Sequence, residues 1–425
     1  MDRIVRRDFV RCDFCGINTH ALIIELSRKT GKEINFFTYL GDMKNCVLFC
    51  FFLLLFGSID AVDFSRINVA WQYDANAPIQ LAHRVISENG EISLFLKVRT
   101  DTTDWKYSFL SQQGYESEND QEVVPMEIDT LENSNGNLLL KLKMGEIQDD
   151  LLVIRISQSQ NNSFEESFFY DIPLKIGNIP FPPIYPVNVD GLPILTNYIN
   201  RSGYEWKNGT YLIAMRYQES FSSADPPMAD MKPLAPSLNM DSSFTFTDTV
   251  SFEDDYFYTV LHDSSAASGV TVLKVPPYFP EYRQLNELVE SMFYITSDPE
   301  KKSLINSKDL KKNFDSFWIN NFSTKTRARN AIRRYYNSVE QANVLFSDFK
   351  AGWKTDRGMM YIVFGIPDEV YRTNGLEEWY YDTGEAFEFS VISSFFAPRT
   401  YTLRRKKDFE EVWFQKISAI RRGNQ

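Results

Sequence analysis

The chain has 425 residues, 43% hydrophobic and 24% charged, a balance that excludes disorder over most of its length and suits two or three domains. Aromatic residues reach 15%, with 34 Phe, 22 Tyr and 7 Trp, a supply that favours strands and buried cores. A formal charge of −12 argues against nucleic acid as a partner.

In chain order, the first strong signal is the uncharged apolar run Cys46–Phe56. It falls short of the ~20 residues that a membrane span needs, and it has the length of a signal-peptide core. Met43 and Lys44 precede it, and Ala61 supplies a small residue at a cleavage point, so residues 43–61 are read as a signal peptide. Residues 1–42 then form an extension whose translation is doubtful. Cys12 and Cys15 within it have CxxC spacing, but no second pair follows, and a metal site is not expected. All four cysteines precede Val62, so the exported chain of 364 residues would hold no disulfide and no transmembrane span.

Charge divides the rest. Residues 62–276 carry 14 basic and 30 acidic side chains, whereas residues 277–425 carry 23 and 20. Residues 62–178 alternate like half-buried strands: Ile92, Leu94, Leu96 and Val98 share one face, and Ser93, Lys97 and Arg99 the other. A β-sandwich-like domain is expected there, then a proline-dense linker from Pro173 to Pro186, then a second β domain over 187–276. Within the second, Ser222–Ser243 reads as a long mobile loop.

After Pro277 the apolar period lengthens to about 3.6. Stripes at Leu285–Met292, at Leu310, Phe314 and Phe317 (with Ser307 as the cap), at Ile332–Phe349, and at Phe409–Ile420 predict helices. Met359–Phe364, Glu378–Tyr381, Ala386–Val391 and Thr400–Arg404 predict a small antiparallel sheet. The overall expectation is a multidomain, mainly β protein: two N-terminal antiparallel β-sandwich-like domains followed by an α+β domain over 277–425.

The densest special chemistry is Gly352-Trp353-Lys354-Thr355-Asp356-Arg357-Gly358, followed by Gly365, Pro367 and Asp368. Glycines allow tight backbone paths around an indole, Thr355 and Asp356 accept from turn donors, and Arg357 pairs with Asp356 or with a more distant carboxylate. One reading makes Trp353 a core plug and Asp356–Arg357 an internal pair. The other lines one groove with Trp353, Asp356, Arg357, Asp368, Glu378 and Trp379, by pairing the motif strand with the strand at Glu378, and offers it to a sugar or peptide. Asp356 and Glu378 would be the carboxylate pair of a hydrolase. No nucleophile motif, P-loop, GxGxxG or metal cluster accompanies them, and no cofactor is expected. Arg404–Lys407 reads as a solvated basic run at a helix entry, with a contact to anionic lipid or another polyanion as the alternative.

This segment resembles the GWxTD domain family of exported bacterial proteins. Pro276–Pro280, Phe317-Trp318, Tyr335 through Ala342-Asn343 to Phe346, and Glu378–Tyr380 extend the resemblance over about residues 277–395. Met359-Met360 departs from it slightly. The resemblance implies upstream β domains behind a signal peptide and supplies no reaction. The expected role is therefore a non-enzymatic binding or assembly function at the cell envelope, periplasmic or surface-facing, with an envelope protein or glycan as partner. The alternative is a periplasmic hydrolase of glycan or peptide that uses paired carboxylates.

Overall fold

The computed structural model describes residues 63–423 apart from 101–104, 118–119, 135, 161–163, 202, 218–220, 230–238, 255, 307, 323 and 394–398. The expectations for the extension, the signal peptide and the Ser307 cap lie outside the described residues.

Alternating sequence builds the first module. Its strands are β1 (Ile79–Glu88), β2 (Glu91–Thr100), β3 (Trp105–Gln112), β4 (Asp120–Val123), β5 (Glu127–Ser134), β6 (Asn137–Glu146), β7 (Leu151–Gln160) and β8 (Phe164–Pro173). They form two antiparallel sheets, ordered β1-β2-β6-β5 and β4-β3-β7-β8. Asn89 and Gly90 join β1 to β2 at positive φ (52° and 85°), as a two-residue hairpin of this twist requires. Ile92, Leu94, Leu96 and Val98 face Trp105, Phe109, Leu152, Ile154 and Ile156 across a dry core. Phe95 breaks the polar face of β2. It is buried against Tyr185, with ring centroids 4.7 Å apart, and so marks where the next module docks.

The proline-dense stretch is bound to both sides. It holds the short hairpin β9 (Lys175–Ile176) and β10 (Ile179–Pro180), and Ile184 already belongs to the second core. That module comprises β11 (Tyr185–Val187), β12 (Tyr198–Ile199), β13 (Tyr204–Lys207), β14 (Leu212–Tyr217), β15 (Met240–Phe246), β16 (Thr249–Val250), β17 (Phe257–Leu261) and β18 (Val270–Lys274). A three-stranded sheet, β11-β13-β16, shares a core of Tyr204, Trp206, Leu212, Tyr258 and Val260 with a five-stranded one, β12-β18-β17-β14-β15. β12 runs parallel to β18, and every other pairing in the two sheets is antiparallel. The stretch expected as one loop differs at both ends: Met240–Phe246 is strand β15, and Phe221–Pro227 lies against the C-terminal module.

The C-terminal module opens with helices α1 (Leu285–Ser291), α2 (Asp298–Ile305), α3 (Leu310–Asn320), α4 (Lys325–Phe346) and α5 (Asp356–Phe364). Strands β19 (Glu369–Arg372), β20 (Leu376–Tyr380), β21 (Ala386–Ile392) and β22 (Thr400–Leu403) then form an antiparallel meander, and α6 (Glu410–Arg422) closes the chain. Asp309 caps α3 by accepting from the Lys312 amide at 3.0 Å. α2 follows the capping box Ser297/Glu300 with a proline in its first turn.

The largest correction concerns Met359–Phe364, expected as a strand. It is the body of α5, with Thr355 as N-cap and Gly365 ending it at φ 87°. Every residue from Gly358 to Phe364 is buried, so the apolar run carries no period to separate helix from strand. The motif therefore does not pair with β20; β19 does. Residues upstream of β1 cover the free edge of β19: the Val69 amide donates to the Val370 carbonyl, and the Val370 amide to Asn68 Oδ1, both at 2.9 Å. Among the described residues, no helix is long and apolar enough to cross a membrane.

Candidate functional site

The segment from α4 to α5 packs closely because two glycines permit it. A Cβ on Gly352 would lie 1.9 Å from the Ala342 carbonyl oxygen, and one on Gly358 would lie 1.9 Å from that of Gly352. Trp353 is driven into the core, 1% exposed. Its amide donates to Asn343 Oδ1 at 3.2 Å, its indole N–H to Tyr282 Oη at 2.8 Å, and its carbonyl accepts from Tyr294 at 2.9 Å. Thr355 Oγ1 donates to the Gly352 carbonyl at 2.7 Å and accepts from the Gly358 amide at 3.0 Å, closing the turn and opening the helix together.

Asp356 and Arg357 do not pair with each other. Adjacent helical residues point in different directions and reach different elements. Asp356 accepts from the Leu403 amide and from Arg405, each at 2.7 Å, with both side chains about nine-tenths buried. Arg405 thus leaves the run expected to be solvated, whereas Arg404 and Lys406 pair with exposed-face Glu388. Arg357 turns the other way. Its Nη1 donates to Tyr73 Oη at 3.1 Å and lies 3.4 Å from Glu377 Oε1, and its guanidinium stacks 3.4 Å from the Tyr401 ring centroid.

Glu377 leads into a buried ionic network between the first sandwich and the C-terminal sheet. Arg372 joins Glu377 at 2.7 Å, Tyr73 Oη at 2.6 Å, Gln72 Oε1 at 2.9 Å and, most closely, Asp171 of β8. Tyr115 donates to Asp171 at 2.7 Å and accepts from Arg399 at 2.7 Å. Both carboxylates are fully shielded from solvent. Burial by itself would raise the Asp171 carboxyl, but Arg372 and Arg399, with hydrogen bonds from Tyr115 and Gln72, hold it down at about 2. Burial likewise opposes ionisation of Glu377, and Arg372 and Arg357 outweigh it.

On the other side of Arg357 lies a cleft of about 260 Å³. Its walls are the strap Phe221–Asp225, the α4–α5 turn with Thr355–Arg357, and Thr400–Thr402 with Arg405. The Ala224 amide fixes the strap by donating to the Lys354 carbonyl at 3.0 Å, and Phe221 meets Phe349 edge-on at 4.7 Å. Burial pushes the Asp348 carboxyl up to about 6, against the pull of Lys350 and Arg357. Burial pushes the Lys350 ammonium down, and its Nζ donates to the Ser222 carbonyl at 3.3 Å. Thr400 Oγ1 and Arg405 Nε, both buried, have no hydrogen-bond partner among the described residues.

Of the residues singled out in the sequence, Thr355, Asp356 and Arg357 border this cleft. Gly352, Trp353 and Gly358 shape the turn behind them. Trp379 is wholly buried, donates to Glu377 Oε1 at 2.8 Å, and packs between Tyr73 and Phe389. Glu378 points to the opposite face of β20, across from Tyr371 and Glu388. Asp368 is exposed and accepts from the Asp382 amide at 2.7 Å, Pro367 is buried, and Gly365 ends α5. The single groove expected through Trp353, Asp368, Glu378 and Trp379 is therefore not formed. Asp348, Lys350, Tyr401 and Arg405 of the cleft were missed. Asp348 and Lys350 carried a signal in their position directly before the motif, and Arg405 in its basic run, whereas Tyr401 carried none.

Residues 256–422 match the family model described as GWxTD domain. The match begins ahead of β17 and so includes two strands of the second module. No curated protein matches the sequence.

Proposed function

Because the chain carries a GWxTD domain and so stands among the GWxTD domain-containing proteins, we propose that it is an exported cell-envelope protein with a non-enzymatic binding or assembly role. The observation that supports this most is how the motif spends its polar groups. Thr355 closes a turn, Asp356 holds Arg405 and β22, and Arg357 holds the sandwich through Glu377 and Tyr73. A signature whose side chains are committed internally suits a domain presented rigidly to a partner, an envelope protein or a glycan. The export half of the reading rests on the apolar run Cys46–Phe56.

The hydrolase alternative loses Asp356 to Arg405, and Glu378 lies on another face. Fractionation of cells expressing the full gene tests the proposal, with intact-mass measurement and turnover assays. The expected result is an envelope-associated chain whose N-terminus lies near Val62 and which leaves peptidoglycan fragments and peptides uncut. A cytosolic chain that keeps residues 1–61 overturns the export half. Hydrolysis that disappears in Asp348→Asn overturns the non-enzymatic half.

A further inference from the structure

The cleft under the strap has an unbalanced set of hydrogen-bonding groups. Arg357 contributes a guanidinium of which only Nη1 has a hydrogen-bond partner among the described residues. Stacking on Tyr401 at 3.4 Å fixes the plane of that guanidinium. Thr400 Oγ1 and Arg405 Nε add a buried hydroxyl and a buried N–H, and Arg405 is 8% exposed. Lys350 adds a further donor. Against these, Asp356 is already matched by Arg405 and the Leu403 amide. Two further carboxyls line the cleft, Asp225 on the strap and Asp348, and the first oxygen of Asp348 accepts from the Lys350 amide at 3.1 Å.

We propose that this cleft binds a carboxylate, carried either by the C-terminal end of a peptide or by a small organic acid. A planar carboxylate matches the fork of a guanidinium held flat, and a buried hydroxyl can donate to its second oxygen. A volume of about 260 Å³ admits one or two residues beyond the carboxylate itself. A phosphate dianion fits less well, because a second negative charge would be brought against Asp348 and Asp356 in a poorly solvated space. The assignment deepens the binding role proposed above and rests on it only in treating the GWxTD domain as the ligand-bearing part.

Titration calorimetry on the full chain tests it with four probes: N-acetyl-dialanine, its C-terminal amide, succinate and inorganic phosphate. The free acid is expected to bind at least about tenfold more tightly than the amide, since a charge-assisted contact is lost. Thr400→Val is expected to weaken binding of the acid, and Asp348→Asn to tighten it by removing a like charge. Arg357→Gln is expected to abolish binding. Because Arg357 also serves the interface, its melting curve is read alongside, and a collapsed melt leaves the decision to the other two variants. Binding of the peptide acid with succinate inert assigns a chain end, and the reverse assigns a free organic acid. Equal binding of acid and amide, a preference for phosphate, or no binding of either acid up to about 10 mM overturns the proposal. These outcomes are independent of cell fractionation and turnover, so the two readings fail separately.

Discussion

Trp353 concentrates the packing logic of the C-terminal module in one side chain. Its ring meets Tyr294 edge-on at 6.0 Å, and its indole N–H is held by Tyr282. Truncation to alanine removes the ring and strands the Tyr282 hydroxyl, so Trp353→Ala is expected to destabilise by about 3–5 kcal/mol, read as a lowered midpoint in urea. An unchanged midpoint would show that the surrounding aromatics close the gap. At this scale the sequence was informative about residue types and poor about partners. Glycines flanking a tryptophan announced a tight turn. The neighbours Asp356 and Arg357 invited an internal pair, because spacing in sequence says nothing of the roughly 100° between successive side chains on a helix. Their true partners, Arg405 and Glu377, lie 49 and 20 positions away.

Among the elements, α5 and α2 show opposite failures of periodicity. α5 is apolar all round because it is enclosed by α4, α6 and the sheet, and enclosure erases the stripe by which helices are recognised. The usable signal was Thr355 three residues before Gly358, with Gly365 at the far end. α2 buries only Leu304, so it offered no stripe and was not expected; the capping box Ser297/Glu300 was the signal that could have found it. The alternating strands were easier to place, since each sandwich sheet hides one face. For α5, Thr355→Val keeps the shape and removes the cap. It is expected to cost about 1 kcal/mol and to speed amide exchange across Asp356–Phe364, while the midpoint of the first sandwich is unchanged. Protection in α5 equal to that of the parent chain would assign the helix start to packing alone.

For the whole molecule, the charge contrast between residues 62–276 and 277–425 gave no hint of how the two segments are joined. Asp171 and Arg372 are 201 positions apart, and Tyr73 and Arg372 are 299 apart, distances over which no local pattern operates. Two shielded carboxylates meet three guanidiniums there, so loss of one member leaves charge uncompensated in a dry interface. Asp171→Asn is expected to destabilise by about 3–5 kcal/mol at pH 7, measured by urea titration. The Asp171 carboxyl is depressed from 3.8 to about 2, so its contribution is complete above about pH 4 and fades as pH falls towards 2. The deficit of the variant should shrink over that window. A deficit that stays constant from pH 7 to pH 2 would place the effect in packing instead of charge.

The strap and the covered sheet edge bear on how such a protein can recombine. The stretch recognised as a GWxTD domain begins at residue 256, yet the Lys354 carbonyl of its motif is paired by Ala224 and the Lys406 amide by Pro227. The edge of β19 is sealed by Asn68 and Val69, and Arg357 finds its phenol at Tyr73. A gene fusion that carried over only residues 256–422 would deliver the signature with four of its supports missing. The unit that can be transplanted whole must reach back at least to Asn68, so lineages that gain or lose this domain should do so together with both sandwiches.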